Sequence, residues 1–166
     1  MLRYLITLAL TASALAAGMP GNLPAGPAPK AGAAFGVTEP VGTPVADRNG
    51  FLSWKTLMQV QAIQKGDLFV PKFDTALMKL DKKTVKLQGF MLPLGMGETQ
   101  DHFILTATPP TCAFCLPGGP DQVVEVKTTK PVKFSYDPVA LSGKLELLKD
   151  DPMGLYYRMT AAQAMD

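Results

Sequence analysis

Residues 84–92 read T-V-K-L-Q-G-F-M-L, and the expected fold follows from this stretch. Val85 and Leu87 alternate with more polar residues, which is the two-residue period of a half-buried strand. The phase of the alternation shifts around Gly89. A glycine at a phase shift within a strand indicates a bulge or a tight bend, as at the corner of a small barrel.

Strand-like stretches continue along the rest of the chain, separated by turn residues. They are predicted over residues 101–108, 122–128, 131–136, 139–148 and 154–160. The fourth of these again has a central glycine, Gly143. Residues 68–73 form a shorter extended piece that Pro71 weakens, and residues 76–80 fit a helical turn or a connector. Five or six short strands that bend at glycine predict a mainly β protein, a small antiparallel barrel of the oligonucleotide/oligosaccharide-binding (OB) type.

One N-terminal amphipathic helix is predicted before the barrel, over residues 53–64. Ser53 suits the N-cap position. Apolar residues then recur at helical spacing, and Gly66 suits a C-terminal stop. The apolar face includes Trp54, the only tryptophan of the chain. We expect its indole to pack in the core and the helix to pack across the sheet or plug one end of the barrel.

The first residues have the pattern of a secretory signal peptide. Arg3 supplies a positive charge, residues 4–15 are apolar but too short to span a bilayer, and residues 14–16, A-L-A, fit the cleavage rule. An uncleaved membrane anchor is the alternative, but no stop-transfer flank follows. We therefore expect residues 1–16 to be removed and no transmembrane segment to remain. The mature protein is then exported and is periplasmic or extracellular.

Residues 17–47 are dense in Gly, Pro and Ala and follow neither a helix nor a strand period. Such a composition buries too little apolar surface to offset its ordering entropy, so a flexible linker is predicted. A partner-binding proline segment is the alternative, but no clean P-x-x-P array with basic flanks is present. The remaining residues, 48–166, are predicted to form one OB-like barrel domain.

The charge balance argues against nucleic acid as the main ligand. The chain has 16 Lys and Arg residues and 14 Asp and Glu residues, and no basic patch with interleaved aromatic residues stands out. The motifs G-x-S-x-G, H-E-x-x-H and G-x-x-x-x-G-K are missing from the sequence, which also has only one His. Hydrolase mechanisms are therefore hard to assemble, and no catalytic residue is predicted.

The chemistry of the protein is expected in residues 108–122, which read T-P-P-T-C-A-F-C-L-P-G-G-P-D-Q. This stretch, called the cysteine loop below, lies between two predicted strands and carries the only cysteines of the chain, Cys112 and Cys115. Proline and glycine restrict and turn the backbone on both sides of the pair. The residues expected to shape the loop are Pro109, Pro110, Pro117, Gly118, Gly119 and Pro120.

Three roles are open for the cysteine pair. An exported C-x-x-C pair is expected to form a disulfide, although so small a ring contributes only about 2 kcal/mol by the chain-entropy estimate. The pair could instead exchange thiols and disulfides, since a small strained ring is readily reduced. The surrounding sequence does not have the βαβ pattern of thioredoxin, however, and Pro117 and Gly118 would end any helix after about one turn.

The third role is metal binding, because thiolates suit zinc and Cu(I). A structural zinc site needs four ligands, so Cys112 and Cys115 would require help from His102, an aspartate or a second copy of the loop. His102 lies in the strand before the loop, and an ordinary surface position is the competing explanation for it. The methionines are spread without an M-x-x-M repeat, which gives a copper site no added support.

The order of five short motifs resembles that of a known family. The motifs are W-K-T-L-M at 54–58, L-Q-G-F-M-L-P-L at 87–94, F-I-L-T-A at 103–107, P-D-Q-V-V-E-V at 120–126 and P-V-A-L-S-G-K-L-E-L at 138–147. This is a family of small exported bacterial proteins of unknown function with an OB-like barrel and a proline-rich cysteine loop. The resemblance covers residues 51–159 and implies export and fold more than activity.

Some members of this family occur beside genes for ABC-type exporters or metal-responsive proteins, and the resemblance therefore implies a transporter or a metal as a candidate partner. Many relatives have one Cys followed by a His and a longer proline run in the loop. Here Phe114 and Cys115 stand in that neighbourhood, and Gly118 and Gly119 interrupt the prolines. This departure weakens a His-assisted metal site and favours a disulfide.

Taken together, the sequence predicts an exported envelope binding or accessory module whose contact site is the cysteine loop. Its partner would be a metal, zinc or copper, an envelope protein, or a component of an ABC-type transporter. A thiol–disulfide exchange enzyme is one alternative. A structural disulfide in a protein-interaction domain is the other.

Overall fold

The elements of the fold come from a computed structural model that describes residues 42–66, 68–111, 116 and 118–165. The predicted signal peptide and residues 17–41 of the predicted linker lie outside the described residues. In chain order the elements are α1 (Trp54–Leu57), β1 (Gln61–Lys65), β2 (Leu68–Lys72), α2 (Thr75–Met78), β3 (Thr84–Pro93), β4 (Thr99–Thr106), β5 (Val123–Lys133), β6 (Val139–Leu147) and β7 (Tyr157–Ala164).

Five strands form a closed barrel in the order β3-β4-β5-β7-β6, and β6 pairs back to β3. This order is that of OB barrels, so the prediction of a small, mainly β barrel is confirmed. The expectation that all pairs are antiparallel is wrong for one pair, because β5 and β7 run parallel. A ring with an odd number of strands cannot alternate direction all the way round.

The predicted corner in β3 is present at Gly89. Residues 84–89 pair with β6, whereas residues 90–93 pair with β4, so the strand changes partner at this point. A Cβ atom at Gly89 would lie 2.7 Å from the carbonyl oxygen of Thr106 and 3.0 Å from Cζ2 of Trp54. The missing side chain therefore lets the neighbouring strand and the indole approach the bend.

The predicted helix over residues 53–64 is wrong beyond its first turn. Ser53 is the N-cap, and its Oγ accepts a hydrogen bond from the backbone N–H of Lys55. The helix then stops at Leu57, and Gln61–Lys65 forms β1, which pairs antiparallel with β2. All side chains of β1 are exposed, so the apolar residues at helix-like spacing in this stretch are not buried in the core. Gly66, at φ +64°, lies in the turn between the two strands instead of ending a helix.

Several strand boundaries also differ from the prediction. The strand predicted over residues 101–108 covers 99–106. Residues 131–133 belong to β5, and no separate strand covers residues 131–136 in the described chain. Pro131 lies where the β4–β5 pairing is interrupted, which suits a residue that cannot donate to the ladder. The last strand begins at Tyr157, not at residue 154, and continues to Ala164.

The core fills the barrel and includes side chains from both short helices. Trp54 and Leu57 of α1 and Leu77 of α2 are buried together with residues of the barrel strands. The indole N–H of Trp54 donates to the Gln88 carbonyl at 2.8 Å, and the Tyr157 hydroxyl donates to the Leu57 carbonyl at 2.6 Å. Trp54 is therefore a core residue, as predicted. No helix within the described ranges is long and apolar enough to cross a membrane.

Candidate functional site

The cysteine loop connects β4 to β5. Cys112, Cys115 and Pro117 lie outside the described residues, so the disulfide, exchange and metal roles of the pair stay predictions. The described residues of the loop are 108–111, 116 and 118–122. They define where the loop leaves the barrel and which surfaces border it.

One hydrogen bond joins the two ends of the loop, and each end has a further hydrogen bond of its own. The Ala107 N–H donates to the Gln122 carbonyl at 3.2 Å, and the Thr106 hydroxyl donates to the Thr108 carbonyl at 2.7 Å. The Gln122 N–H donates in turn to the Gly119 carbonyl at 2.9 Å. The loop therefore starts and ends at one well-defined place on the barrel.

Gly118 adopts a backbone conformation that favours glycine. Its φ is +115°, and a Cβ atom there would lie 2.7 Å from Oε1 of Gln122. A larger residue at this position would thus strain the backbone and push against the end of the loop. This gives a physical basis for the loop-shaping role that the sequence predicts for Gly118.

Leu116 connects the loop to the outer surface of the barrel. Three buried side chains on that surface, Leu92, Ile104 and Val123, form a small apolar cluster separate from the core. Leu116 packs against this cluster, as does Leu155 from the segment between β6 and β7. Apolar side chains that point away from the barrel interior are thereby kept from water.

A groove of about 630 Å³ lies beside the start of the loop. Residues 109–111, which lead directly to Cys112, form part of its wall. Phe134 and Tyr136 form another part, with their rings edge to face at 4.9 Å between centroids. Met96 and Tyr136 are almost fully exposed. The groove lining comprises Phe90, Met91, Leu92, Pro93, Gly95, Met96, Gly97, Pro109, Pro110, Thr111, Phe134, Ser135 and Tyr136.

A smaller apolar recess of about 40 Å³ borders the other described part of the loop. Leu116, Gly118 and Pro120 line it together with Met153 and Leu155 from the segment between β6 and β7. The residues before the cysteine pair and those after it thus each border an apolar depression. We call the first the groove and the second the recess.

Asp121 places a half-buried carboxyl near the end of the loop. Burial raises the pKa of this carboxyl above its usual value, and a hydrogen bond from its own backbone N–H opposes the shift only in part. Burial, and then the charge of Asp121, also raise the pKa of Tyr156 and Tyr157. Asp121 is therefore a group that can take up a proton more readily than an exposed aspartate.

His102 lies on β4, where it is paired with Lys127 of β5. Its Nε2 is 2.8 Å from Oε1 of Glu125, and about half of the imidazole side chain is exposed. The candidate metal ligand thus has a carboxylate partner on the neighbouring strand. Among the residues that the structure describes, no three or more His, Cys, Asp or Glu side chains are grouped to hold a metal ion.

Glu125 is the centre of an ionic network on the barrel surface. Its Oε2 accepts a hydrogen bond from Nε of Arg158, and Lys127 lies 3.7 Å from its Oε1. Burial alone would raise the pKa of Glu125, but hydrogen bonds from Arg158 and His102 and the nearby positive charges outweigh it and lower the pKa. Glu125 is therefore held as a carboxylate.

The network continues to the segment that lines the recess. Nη2 of Arg158 donates to Oδ2 of Asp151 at 3.3 Å, and Oδ1 of Asp151 accepts from the N–H groups of Met153 and Leu155. This network was not predicted from the sequence. The available signal was Glu125 itself, a charged residue within the apolar run V-V-E-V of a strand.

Comparison with known proteins identifies the family of this chain. No curated protein matches the chain. The chain is similar to the crystal structure of a DUF3299 family protein from Pseudomonas aeruginosa PAO1, with 26% identity, a TM-score of 0.46, and coverage of 58% of this chain and 68% of that chain. The sequence model of DUF3299, a family of proteins of unknown function, matches residues 53–165, which run from the N-cap of α1 to the end of β7. The chain therefore belongs to the DUF3299 family.

Proposed function

We propose that this protein is an exported binding or accessory module that contacts its partner through the cysteine loop. The observation that supports the proposal is the position of the cysteine loop on the barrel. Its ends share a hydrogen-bonded base, and its described parts border the groove on one side of the cysteine pair and the recess on the other. Concave apolar surfaces with a few polar groups are the usual form of a binding site.

The chemistry of the groove favours a peptide-like partner. Phe90, Phe134 and Tyr136 supply aromatic surface, and Met96 supplies a flexible thioether. Aromatic and methionine side chains are enriched where proteins bind one another. We infer a partner that presents apolar side chains, and the family resemblance implies that this partner is an envelope protein or a component of an ABC-type transporter. Zinc or Cu(I) held by Cys112 and Cys115 is the other ligand that the thiols suit.

A photo-cross-linking experiment tests the protein partner. A photoreactive phenylalanine analogue replaces Tyr136 in cells that express the full chain. We expect a discrete adduct with an envelope protein, which weakens when Cys112 and Cys115 are both changed to Ser. Met78, an exposed apolar residue of α2 that does not line the groove, is the matched control position. An adduct of equal yield at Met78, or none at Tyr136, would refute the proposal.

The state of the cysteines is measured on mature protein purified from the envelope without reductant. A mass two hydrogens below the reduced value, with no metal, would show a Cys112–Cys115 disulfide. The reduced mass with stoichiometric zinc or copper would show that the loop binds metal. Signal-containing protein found only in the cytoplasm would contradict the exported module altogether.

Thiol–disulfide exchange is the second candidate, and the C-x-x-C spacing of Cys112 and Cys115 favours it. In such a reaction one cysteine thiolate attacks a partner disulfide, and the second cysteine resolves the mixed disulfide. The pair is oxidised, the partner is reduced, and a proton released by the attacking thiol needs an acceptor. The thiolate that leaves the partner disulfide takes up that proton, so the step balances. Cys112→Ser or Cys115→Ser would then abolish turnover with a small disulfide, whereas an unchanged rate in both variants would remove this candidate.

A further inference from the structure

The outer edge of β1 pairs with no strand that the structure describes. β1 pairs only with β2, and Lys65 at its end pairs directly with Leu68 at the start of β2. A pair that closes so short a connection exchanges backbone hydrogen bonds, and bonded and non-bonded pairs alternate along an antiparallel ladder. The N–H and C=O groups of Ala62 and Gln64 therefore point away from β2 and form the outer edge of β1.

The outer edge of β2 is less suited to pairing. Pro71 lies opposite Ala62 in a non-bonded pair, so its nitrogen faces outward and has no hydrogen to donate. Proline at an edge is a common device against pairing with further strands. β1 has no proline, and the exposed side chain of Ile63 lies at its centre. The hairpin is therefore open to a further strand on the β1 side.

The sequence of β1 is complementary to itself in an antiparallel register. Residues 61–65 read Q-A-I-Q-K, and Lys65 is the only charged residue among them. When Ile63 lies opposite the partner's Ile63, Ala62 faces the partner's Gln64, and every outward-pointing backbone group of these residues has a hydrogen-bond partner. The two Lys65 residues then lie opposite glutamines, roughly 13 Å apart along the strands. That separation exceeds the Debye length of about 8 Å, so their repulsion is screened.

We propose that two copies of this protein associate through the outer edges of their β1 strands, which joins two two-stranded hairpins into one four-stranded sheet. The two Ile63 side chains meet at the two-fold axis, in a non-bonded pair whose Cα atoms lie about 4.5 Å apart. Apolar side chains that face each other in this way support strand pairing. A single short strand pair buries little surface, so the association is weak and transient.

This contact is independent of what the cysteine loop binds. β1 lines neither the groove nor the recess. The proposal depends on the backbone of the hairpin and on Ile63, whereas the proposed partner contact depends on the loop and the groove. Either one can therefore fail in an experiment without the other.

Hydrogen exchange of the wild-type mature chain tests the pairing. Amide exchange is measured residue by residue by NMR at low micromolar and at millimolar protein concentration. We expect exchange at Ala62 and Gln64 to slow roughly fivefold at the higher concentration, the factor for a pairing that is formed about four-fifths of the time. Phe69 is the matched control, because its N–H points to the outer edge of β2, which the second copy does not cover.

A cysteine cross-link tests the register. The background carries Cys112→Ser and Cys115→Ser, and the oxidant is diamide. Ile63→Cys should form a disulfide-linked dimer roughly tenfold faster than Met78→Cys, because the pair at the two-fold axis has its Cα atoms within disulfide reach. Met78 is an exposed apolar residue outside the hairpin. Adding Ala62→Pro, which removes an N–H from the edge, should return the rate to that of Met78→Cys.

Three outcomes would contradict the proposal. Equal exchange at both concentrations, in protein that sediments as a monomer throughout, would overturn it. Slow exchange at Ala62 and Gln64 in the monomer would overturn it as well, because the chain would then cover its own edge. Cross-linking of Ile63→Cys at the rate of Met78→Cys would rule out the register and with it the proposed contact.

Discussion

Gly89 occupies a position where three groups crowd the space that a side chain would need. Besides the Thr106 carbonyl and the Trp54 ring, Cγ of Leu105 would lie 2.8 Å from an added Cβ atom. We expect Gly89→Ala to lower the free energy of unfolding by about 1–3 kcal/mol, the usual effect of overpacking. Urea denaturation measures it. Gly95→Ala is the control, because its Cβ atom would make an ordinary contact at 3.4 Å; equal losses would contradict the argument.

Glu125 gives a pH-dependent contribution to stability. Its folded-state pKa is lowered, so its carboxylate contributes stability above the unfolded pKa of about 4.3 and loses it as the pH falls through the folded pKa. Glu125→Gln should therefore cost about 1–3 kcal/mol at pH 7 and progressively less below pH 4.3. Urea denaturation at several pH values checks this. Glu98→Gln, at an exposed site, is the control and should leave the free energy of unfolding at pH 7 nearly unchanged.

The contribution of Asp121 to stability should depend on pH in the opposite sense. Its folded-state pKa is raised, so its contribution to stability is present below the unfolded pKa of about 3.9 and is lost as the pH rises through the folded pKa. Asp121→Asn is thus expected to raise the free energy of unfolding at pH 7, with a gain that vanishes below pH 3.9. Thermal unfolding across this pH range measures the gain, and Asp101→Asn is the exposed control. Destabilisation at pH 7 would mean that the carboxylate has a cationic partner.

The β1–β2 hairpin lies outside the barrel. It is a separate two-stranded sheet, and the side chains of β1 are exposed. Isolated two-stranded hairpins are only marginally stable in water. We expect the amides of β1 to exchange roughly a hundredfold faster than those of β3 that pair with β6. Hydrogen exchange resolved by residue measures this, and equal protection would show that the hairpin unfolds only together with the barrel.

The same region shows what sequence patterns could and could not predict. Alternation and glycine positions predicted β3, β4 and β6, because those signals are local. Residues 61–65 carry a helix-like apolar spacing but pair as a strand, since their contacts come from β2 and not from a helix face. The position of the cysteine loop was predictable from its flanking strands. The groove and the Glu125–Arg158 contact were not, because both depend on which strands are neighbours in the ring.

One buried hydrogen bond joins the first helix to the last strand of the described chain. The Tyr157 hydroxyl on β7 donates to the Leu57 carbonyl of α1. Tyr157→Phe should lower the free energy of unfolding by about 1 kcal/mol and loosen α1. Fluorescence of Trp54, the sole tryptophan, should shift to longer wavelength as α1 becomes hydrated. Tyr136→Phe, at an exposed ring, should leave both unchanged; a blue shift or unchanged stability in Tyr157→Phe would contradict the prediction.

The position of β7 between β5 and β6 has a consequence for biosynthesis. A polypeptide that leaves a ribosome or a translocation pore from its N-terminus presents β3 to β6 before β7 arrives. Until then β5 and β6 each have one edge with unpaired backbone N–H and C=O groups, and such edges can pair with strands of other chains. A nonsense mutation after Leu147 would therefore prevent closure of the barrel as well as remove β7. The truncated product would be aggregation-prone.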